Sequence, residues 1–241
     1  MGKMSVEVIR GNTLNILSDA VVLPADTSLR EGRGVSTAIF QAAGREPLTE
    51  ACRKIGSCEE GRAVVTPGFN LETDYIIHTV VPKWIDGQHG EYERLCASYL
   101  AALKAADILG CTSITFPLLG SGNNGYDLRL AFEIAYQTLQ QFEGYVLKTA
   151  FLVIYGERAT RMVTDKGINY VELPEVYVQK EKTTTDTAPR EKGIVENAIA
   201  QVGDFLGKKK IGILSWMSQQ KLSNLCCCSS RLMEFNLQID R

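Results

Sequence analysis

Two stretches of this chain combine residue types and spacings suited to holding an anion. The first is Pro24-Ala25-Asp26-Thr27-Ser28-Leu29-Arg30-Glu31-Gly32-Arg33-Gly34-Val35, and the second is Pro117-Leu118-Leu119-Gly120-Ser121-Gly122-Asn123-Asn124-Gly125-Tyr126-Asp127. Each follows a short apolar run and leads into a helical pattern. Glycines in such loops permit positive φ and close backbone approach, and free amides at a helix start attract negative charge. Two loops of this kind can grip the two phosphates of a diphosphate from opposite sides. A Gly-x-Gly alone also makes ordinary tight turns, so neither loop decides the matter by itself. Neither contains Gly-Lys-Ser/Thr, which argues against ATP hydrolysis of the Walker type.

The other reactive residue types offer less. His78 lies in an alternating apolar strand near Ile77 and Val80, the setting of a satisfied core histidine. His89 sits in the loop Asp86-Gly87-Gln88-His89-Gly90 with no metal-ligand partner at recognisable spacing, and no metal or cofactor is expected. Cys52, Cys58, Cys96 and Cys111 read as small buried hydrophobes. Cys226-Cys227-Cys228 read as ordinary thiols, since three adjacent cysteines cannot converge on one tetrahedral metal without partners. Their basic and apolar neighbours would also suit a lipidated membrane edge. The count of seven cysteines is odd and shows no disulfide spacing, so a reducing cytoplasm is the expected compartment.

The elements that must position the two loops follow from periodicity. Val- and Ile-rich strands are expected at 5–9, 20–23, 62–66, 75–81, 112–116 and 149–155. Helices are expected at 34–43, 91–109, 128–142 and 158–166, with a further one over 48–55 after a Gly-Arg-Glu-Pro break. Alternation of this kind predicts an α/β domain whose sheet is covered on both faces. In an open α/β sheet, ligands sit beyond the carboxyl ends of the strands, where both loops fall. With 241 residues, 45% hydrophobic and 22% charged, the chain can bury a core of some size, and wholesale disorder is excluded. A formal net charge of −2 gives no general basic field, so no direct DNA readout is expected. No apolar run approaches the ~18 residues of a membrane span, and the first residues lack an apolar signal core.

Composition changes after Leu173-Pro174. Residues 174–193 read as a linker, rich in threonine and charge around Pro189. Residues 194–241 read as a small helical tail. Its stripe of Ile194, Val195, Ala198, Ile199, Val202, Phe205 and Leu206 calls for cover by the rest of the chain, a second copy or an unknown protein partner.

Five segments taken in order resemble the macro domains that bind ADP-ribose. The family's first loop runs approximately V-N-A-A-N-S-x-L-x-x-G-G-G-V, and residues Val22 to Val35 keep that spacing. Upstream, Gly11-Asn12-Thr13-Leu14-Asn15-Ile16-Leu17-Ser18-Asp19-Ala20 is similar to G-D-I-T-x-L-x-x-D-A. Gly61 to Gly68 and Ile76 to Pro82 look like two further signatures, and Gly120 to Tyr126 is similar to the second phosphate loop in its macro-histone form. The resemblance spans about residues 5–170. It implies a three-layer α/β macro domain with a mixed central sheet over 1–173.

Carried over residue by residue, the resemblance places Asn12, beside Thr13, where the family has an acid accepting from the adenine amino group. An amide oxygen also accepts there, without charge assistance. Tyr155 resembles the aromatic that stacks on adenine, although a strand-end tyrosine can equally fill a core. Asp26 replaces the asparagine that orients the distal ribose. Gly32, Gly34, Val35 and Ser36 match the first phosphate loop. Arg33 replaces a glycine there, so it needs negative φ or bears strain, and its guanidinium could add a contact to the diphosphate. Gly120, Ser121, Gly122, Asn123, Asn124 and Gly125 match the second loop, with Tyr126 implied to cover the distal ribose. Hydrolytic relatives carry an acid where Ser36 stands, which leaves Asp26 as the one carboxylate able to orient water. Three functions follow: a reader of ADP-ribose or ADP-ribosylated targets, a slow hydrolase removing ADP-ribose from proteins or deacylating O-acetyl-ADP-ribose, and a scaffold with a degenerate pocket.

Overall fold

The computed structural model describes residues 2–175, so the predicted linker beyond Glu175 and the helical tail lie outside the described residues. In chain order the elements are β1 (Gly2–Lys3), β2 (Ser5–Arg10), a 3₁₀ turn (Thr13–Asn15), β3 (Ala20–Ala25), α1 (Val35–Ala43), α2 (Arg45–Ile55), β4 (Ala63–Pro67) and β5 (Tyr75–Val80). There follow α3 (Glu91–Ile108), β6 (Ser113–Pro117), α4 (Leu128–Gln141), β7 (Glu143–Gly144), β8 (Thr149–Ile154), α5 (Gly156–Asp165) and β9 (Tyr170–Glu172). Seven strands form one mixed sheet in the order β4-β5-β3-β6-β8-β2-β9. All neighbours in it are parallel except β4, which runs antiparallel to β5 at one edge. β1 and β7 make a small separate antiparallel pair.

Adjacent residues of a strand point to opposite faces, and β5 shows what covers each. The His78 ring lies 3.9 Å from the Cys52 sulfur of α2, whereas the Thr79 hydroxyl donates to the Ser98 carbonyl of α3. One face is therefore closed by α1 and α2, whose Ile39, Phe40, Leu48 and Cys52 pack on Val21, Leu23 and Ile76. The other carries α3 and α4. Burial on both sides explains why β3 and β5 read as continuous apolar runs.

Most element bounds differ from the periodic expectation by a residue or two, and α2 differs by more. It starts at Arg45, ahead of the expected Leu48, because only Gly44 breaks the chain. Pro47 falls in the first turn of α2, where its missing N–H has no intrahelical acceptor to lose.

Candidate functional site

β3, β6, β8 and β2 are contiguous and parallel, so the segments leaving their carboxyl ends meet along one edge of the sheet. These segments are Asp26 to Gly34, Leu118 to Asp127, Tyr155, and Gly11 to Thr13. β3 pairs with β6 at only two positions, Ala20 with Ile114 and Val21 with Thr115. Beyond that ladder the strands no longer pair, and the two glycine loops leave from the two strands that have parted.

The first loop is fixed by its own polar side chains. One Asp26 carboxylate oxygen, Oδ1, accepts from the Ser28 N–H at 2.9 Å, the Ser28 hydroxyl at 2.7 Å and, more weakly, the Arg30 N–H at 3.4 Å. Leu29 adopts φ of +55° and buries its side chain beneath the loop among Ile39, Phe40 and Cys58. A bulky residue in that region is strained, and the anchoring of its side chain in the core holds it there. Arg33 has no positive φ, so the replaced family glycine brings no backbone strain. Gly32, Arg33 and Gly34 are exposed. Ser36 is only 2% exposed, and its Oγ accepts from the Gly32 N–H at 2.9 Å. It fastens the loop to the start of α1. The first N–H groups of α1 have no intrahelical acceptor by construction, and α1 follows directly on this loop.

The second loop keeps five amides unused. Among the described residues, no acceptor takes the N–H of Gly120, Ser121, Gly122, Asn123 or Asn124. Gly120 is itself buried, and a buried amide left without any partner is costly. Its φ is +86°, and an added Cβ would meet the Tyr126 ring at 3.0 Å and Leu95 at 3.2 Å, so glycine is required. The loop rests on buried phenols. The Leu119 N–H donates to the Tyr99 hydroxyl at 2.9 Å, and the Tyr126 hydroxyl donates to the Glu91 carbonyl at 2.9 Å. Burial pushes the Tyr126 phenol up to about 12, so it remains a donor. Tyr126 is 4% exposed, and its ring and hydroxyl pack against Trp84 and Glu91.

Asn12 and Tyr155 stand at the other end of the edge. Asn12 caps the 3₁₀ turn by accepting from the Leu14 N–H at 2.9 Å, and its Nδ2 donates to the Glu175 carbonyl at 3.1 Å. Thr13 is buried. Tyr155 is 67% exposed just past β8, so it does not fill the core and offers its ring as a surface. The edge thus presents amides for an anion at its centre and an aromatic face beside Asn12 at one end. Periodicity gave no hint of Tyr99 or Glu91 as supports of the second loop, because their contacts are made through a hydroxyl and a backbone carbonyl.

His78 takes no part in the site. It is fully buried, its Nε2 lies 2.9 Å from the Thr66 hydroxyl, and burial lowers its imidazole to about 4. Burial also pushes the Cys52 and Cys58 thiols up to about 11, away from nucleophile chemistry. Among the described residues no group of His, Cys, Asp and Glu could hold a metal ion, and no helix is long and apolar enough to cross a membrane.

The family model for the macro domain matches residues 22–135. A macro domain-containing protein of Chlorobaculum tepidum is 40% identical over 136 residues, which cover 56% of this chain and 78% of that protein. The O-acetyl-ADP-ribose deacetylase of Escherichia fergusonii is 38% identical over 166 residues, 66% of this chain and 93% of that one. The chain belongs to the macro domain family. Its fold agrees with solved macro domains. That of Oceanobacillus iheyensis with ADP is 32% identical with a TM-score of 0.63, covering 68% of this chain and 90% of that one. That of Trypanosoma brucei in complex with ADP-ribose is 28% identical with a TM-score of 0.60, covering 67% and 68%. The mixed sheet between two helical layers is the macro domain architecture expected from the resemblance.

Proposed function

We propose that this macro domain is a reader that binds ADP-ribose, free or attached to a macromolecule, along the carboxyl edge of its sheet. The observation that carries this reading is the row of amides from Gly120 to Asn124 with no acceptor among the described residues, in the loop that leaves β6 where β6 has parted from β3. Backbone donors of this kind suit a diphosphate. The exposed Tyr155 ring, next to the capping Asn12, supports a reading in which adenine stacks at this end of the edge. Relatives that hold ADP or ADP-ribose, or are named for acting on O-acetyl-ADP-ribose, support the same ligand class.

Binding without fast hydrolysis fits the two residues nearest a would-be water. Ser36 uses its hydroxyl to fasten Gly32, and a neutral hydroxyl is a poor base. Asp26 already shares Oδ1 among three loop donors, leaving Oδ2 for a ribose hydroxyl. The ligand-binding unit is proposed to be residues 1–173 together with Pro174 and Glu175, whose carbonyls hold Asn12 and Asn15, with the segment beyond as a separate linker and tail.

Gly122→Glu tests the site. Gly122 is exposed, has no positive φ and has open space where a Cβ would project, so the fold accepts the change. The carboxylate would then stand against the phosphates. The expected result is loss of ADP-ribose binding with an unchanged melting curve. Binding at the parental level would move the phosphates elsewhere. Rapid release of ADP-ribose from a mono-ADP-ribosylated protein by the parent would replace the reader with the hydrolase.

A further inference from the structure

Glu91 opens α3 with a carboxylate that is fully buried, and among the described residues no cation is paired with it; the nearby Arg94 pairs with Glu60. A bare buried carboxylate is expensive unless hydrogen bonds satisfy its oxygens. Here they do. Oε1 accepts from the N–H groups of Ile85, Asp86 and Gly87 at 3.1, 3.2 and 3.1 Å, and Oε2 accepts from the His89 N–H at 2.7 Å. Burial alone would raise this acid, but the converging N–H groups outweigh it and hold it at about 2. The loop from Trp84 to Gly90 is thereby wrapped around one charged centre and has a single shape.

That loop, with the residues just before and after it, bears on the second glycine loop at four points. The Trp84 N–H donates to the Asn124 carbonyl at 2.8 Å. The Trp84 indole meets the Tyr126 ring edge-on, with centroids 5.2 Å apart and planes at 62°. Asn124 answers with its Nδ2, donating to the carbonyls of Val81 and Pro82 at 2.9 and 3.2 Å. Glu91 also offers its own carbonyl to Tyr126. The carboxyl end of the segment carrying the unused amides, at Asn124 and the following Tyr126, is therefore tied to the loop that the Glu91 carboxylate organises.

We infer that Glu91 is a positioning residue for ligand binding: by gathering the N–H groups of residues 85–87 and 89 it sets the geometry of the Gly120–Asn124 amides. A helix-start acid that merely capped α3 would affect stability and leave those amides alone. The inference rests on the reading of those amides as the phosphate site.

Two full-length variants test it. Glu91→Gln keeps the size but turns a donor toward the His89 N–H. Gly87→Ala leaves Glu91 intact but puts a Cβ 2.9 Å from the Trp84 ring, at a φ of +87°. Each is expected to weaken ADP-ribose about tenfold or more, since networked hydrogen bonds fail together. Each should also speed amide hydrogen exchange at Gly120–Asn124 while β2 and β8 stay protected. If Glu91→Gln does not fold, Gly87→Ala decides alone. Parental affinity and parental exchange at Gly120–Asn124 in either folded variant would overturn the inference. If the parent itself binds no ADP-ribose, the proposed function falls, and the exchange pattern still decides whether Glu91 positions the loop.

Discussion

Single residues divide into those whose place is set by chemical type and those whose place is set by what surrounds them. His78 belongs to the first group, since an imidazole inside an apolar alternation has to be neutral and hydrogen-bonded, as it is with Thr66. Its pH behaviour follows. The folded imidazole titrates at about 4 and the unfolded one near 6.5, so between those values the unfolded chain binds more protons. Stability is therefore intact above pH 6.5 and falls as pH drops toward 4, by about 3 kcal/mol from this group alone. Urea titrations at pH 7 and pH 4.5 should show most of that loss in the parent and a much flatter profile in His78→Asn. Equal slopes would mean the ring is charged or solvated in the folded chain. Tyr126 and Glu91 belong to the second group. A tyrosine at the end of a glycine loop can face ligand or core, and only the Trp84 ring and the Glu91 carbonyl beneath it decide. The four donors around Glu91 are backbone groups, which no residue pattern encodes.

At the scale of elements, the apolar runs of β3, β5, β6 and β8 and the helical stripes of α3 and α4 were legible because each is long and buried. The two-residue strands β1 and β7 and the short β9 were not, since so few residues show no period. The edge that gathers the loops was legible in outline, because a parallel sheet puts every strand end on one side. The end of the domain was less so. Pro174 and Glu175 have linker composition, yet the Pro174 carbonyl accepts from the Asn12 N–H at 3.2 Å and from Asn15 Nδ2 at 2.7 Å. The Glu175 carbonyl takes the Asn12 side chain. Backbone carbonyls can do this whatever side chains they carry. A chain ending at Leu173 loses these acceptors. It should be less stable than one ending at Glu175 by about 1–3 kcal/mol, measured by urea unfolding. Equal stability would show that the strap over Asn12 contributes nothing.

For the molecule as a whole, a net charge of −2 means that no broad field draws an anionic ligand in. Recognition has to come from the local arrangement: amides of two loops at the centre, an aromatic face at one end, and a rigid support under the second loop. Such a site should prefer a ligand that reaches all of these parts at once. AMP has one phosphate and no distal ribose, so it satisfies only some of them. Isothermal calorimetry of the full chain with ADP-ribose and with AMP tests this most directly. The account predicts micromolar ADP-ribose binding, roughly −7 to −8 kcal/mol, with AMP weaker by about tenfold or more. No heat and no thermal shift at millimolar ADP-ribose would contradict it.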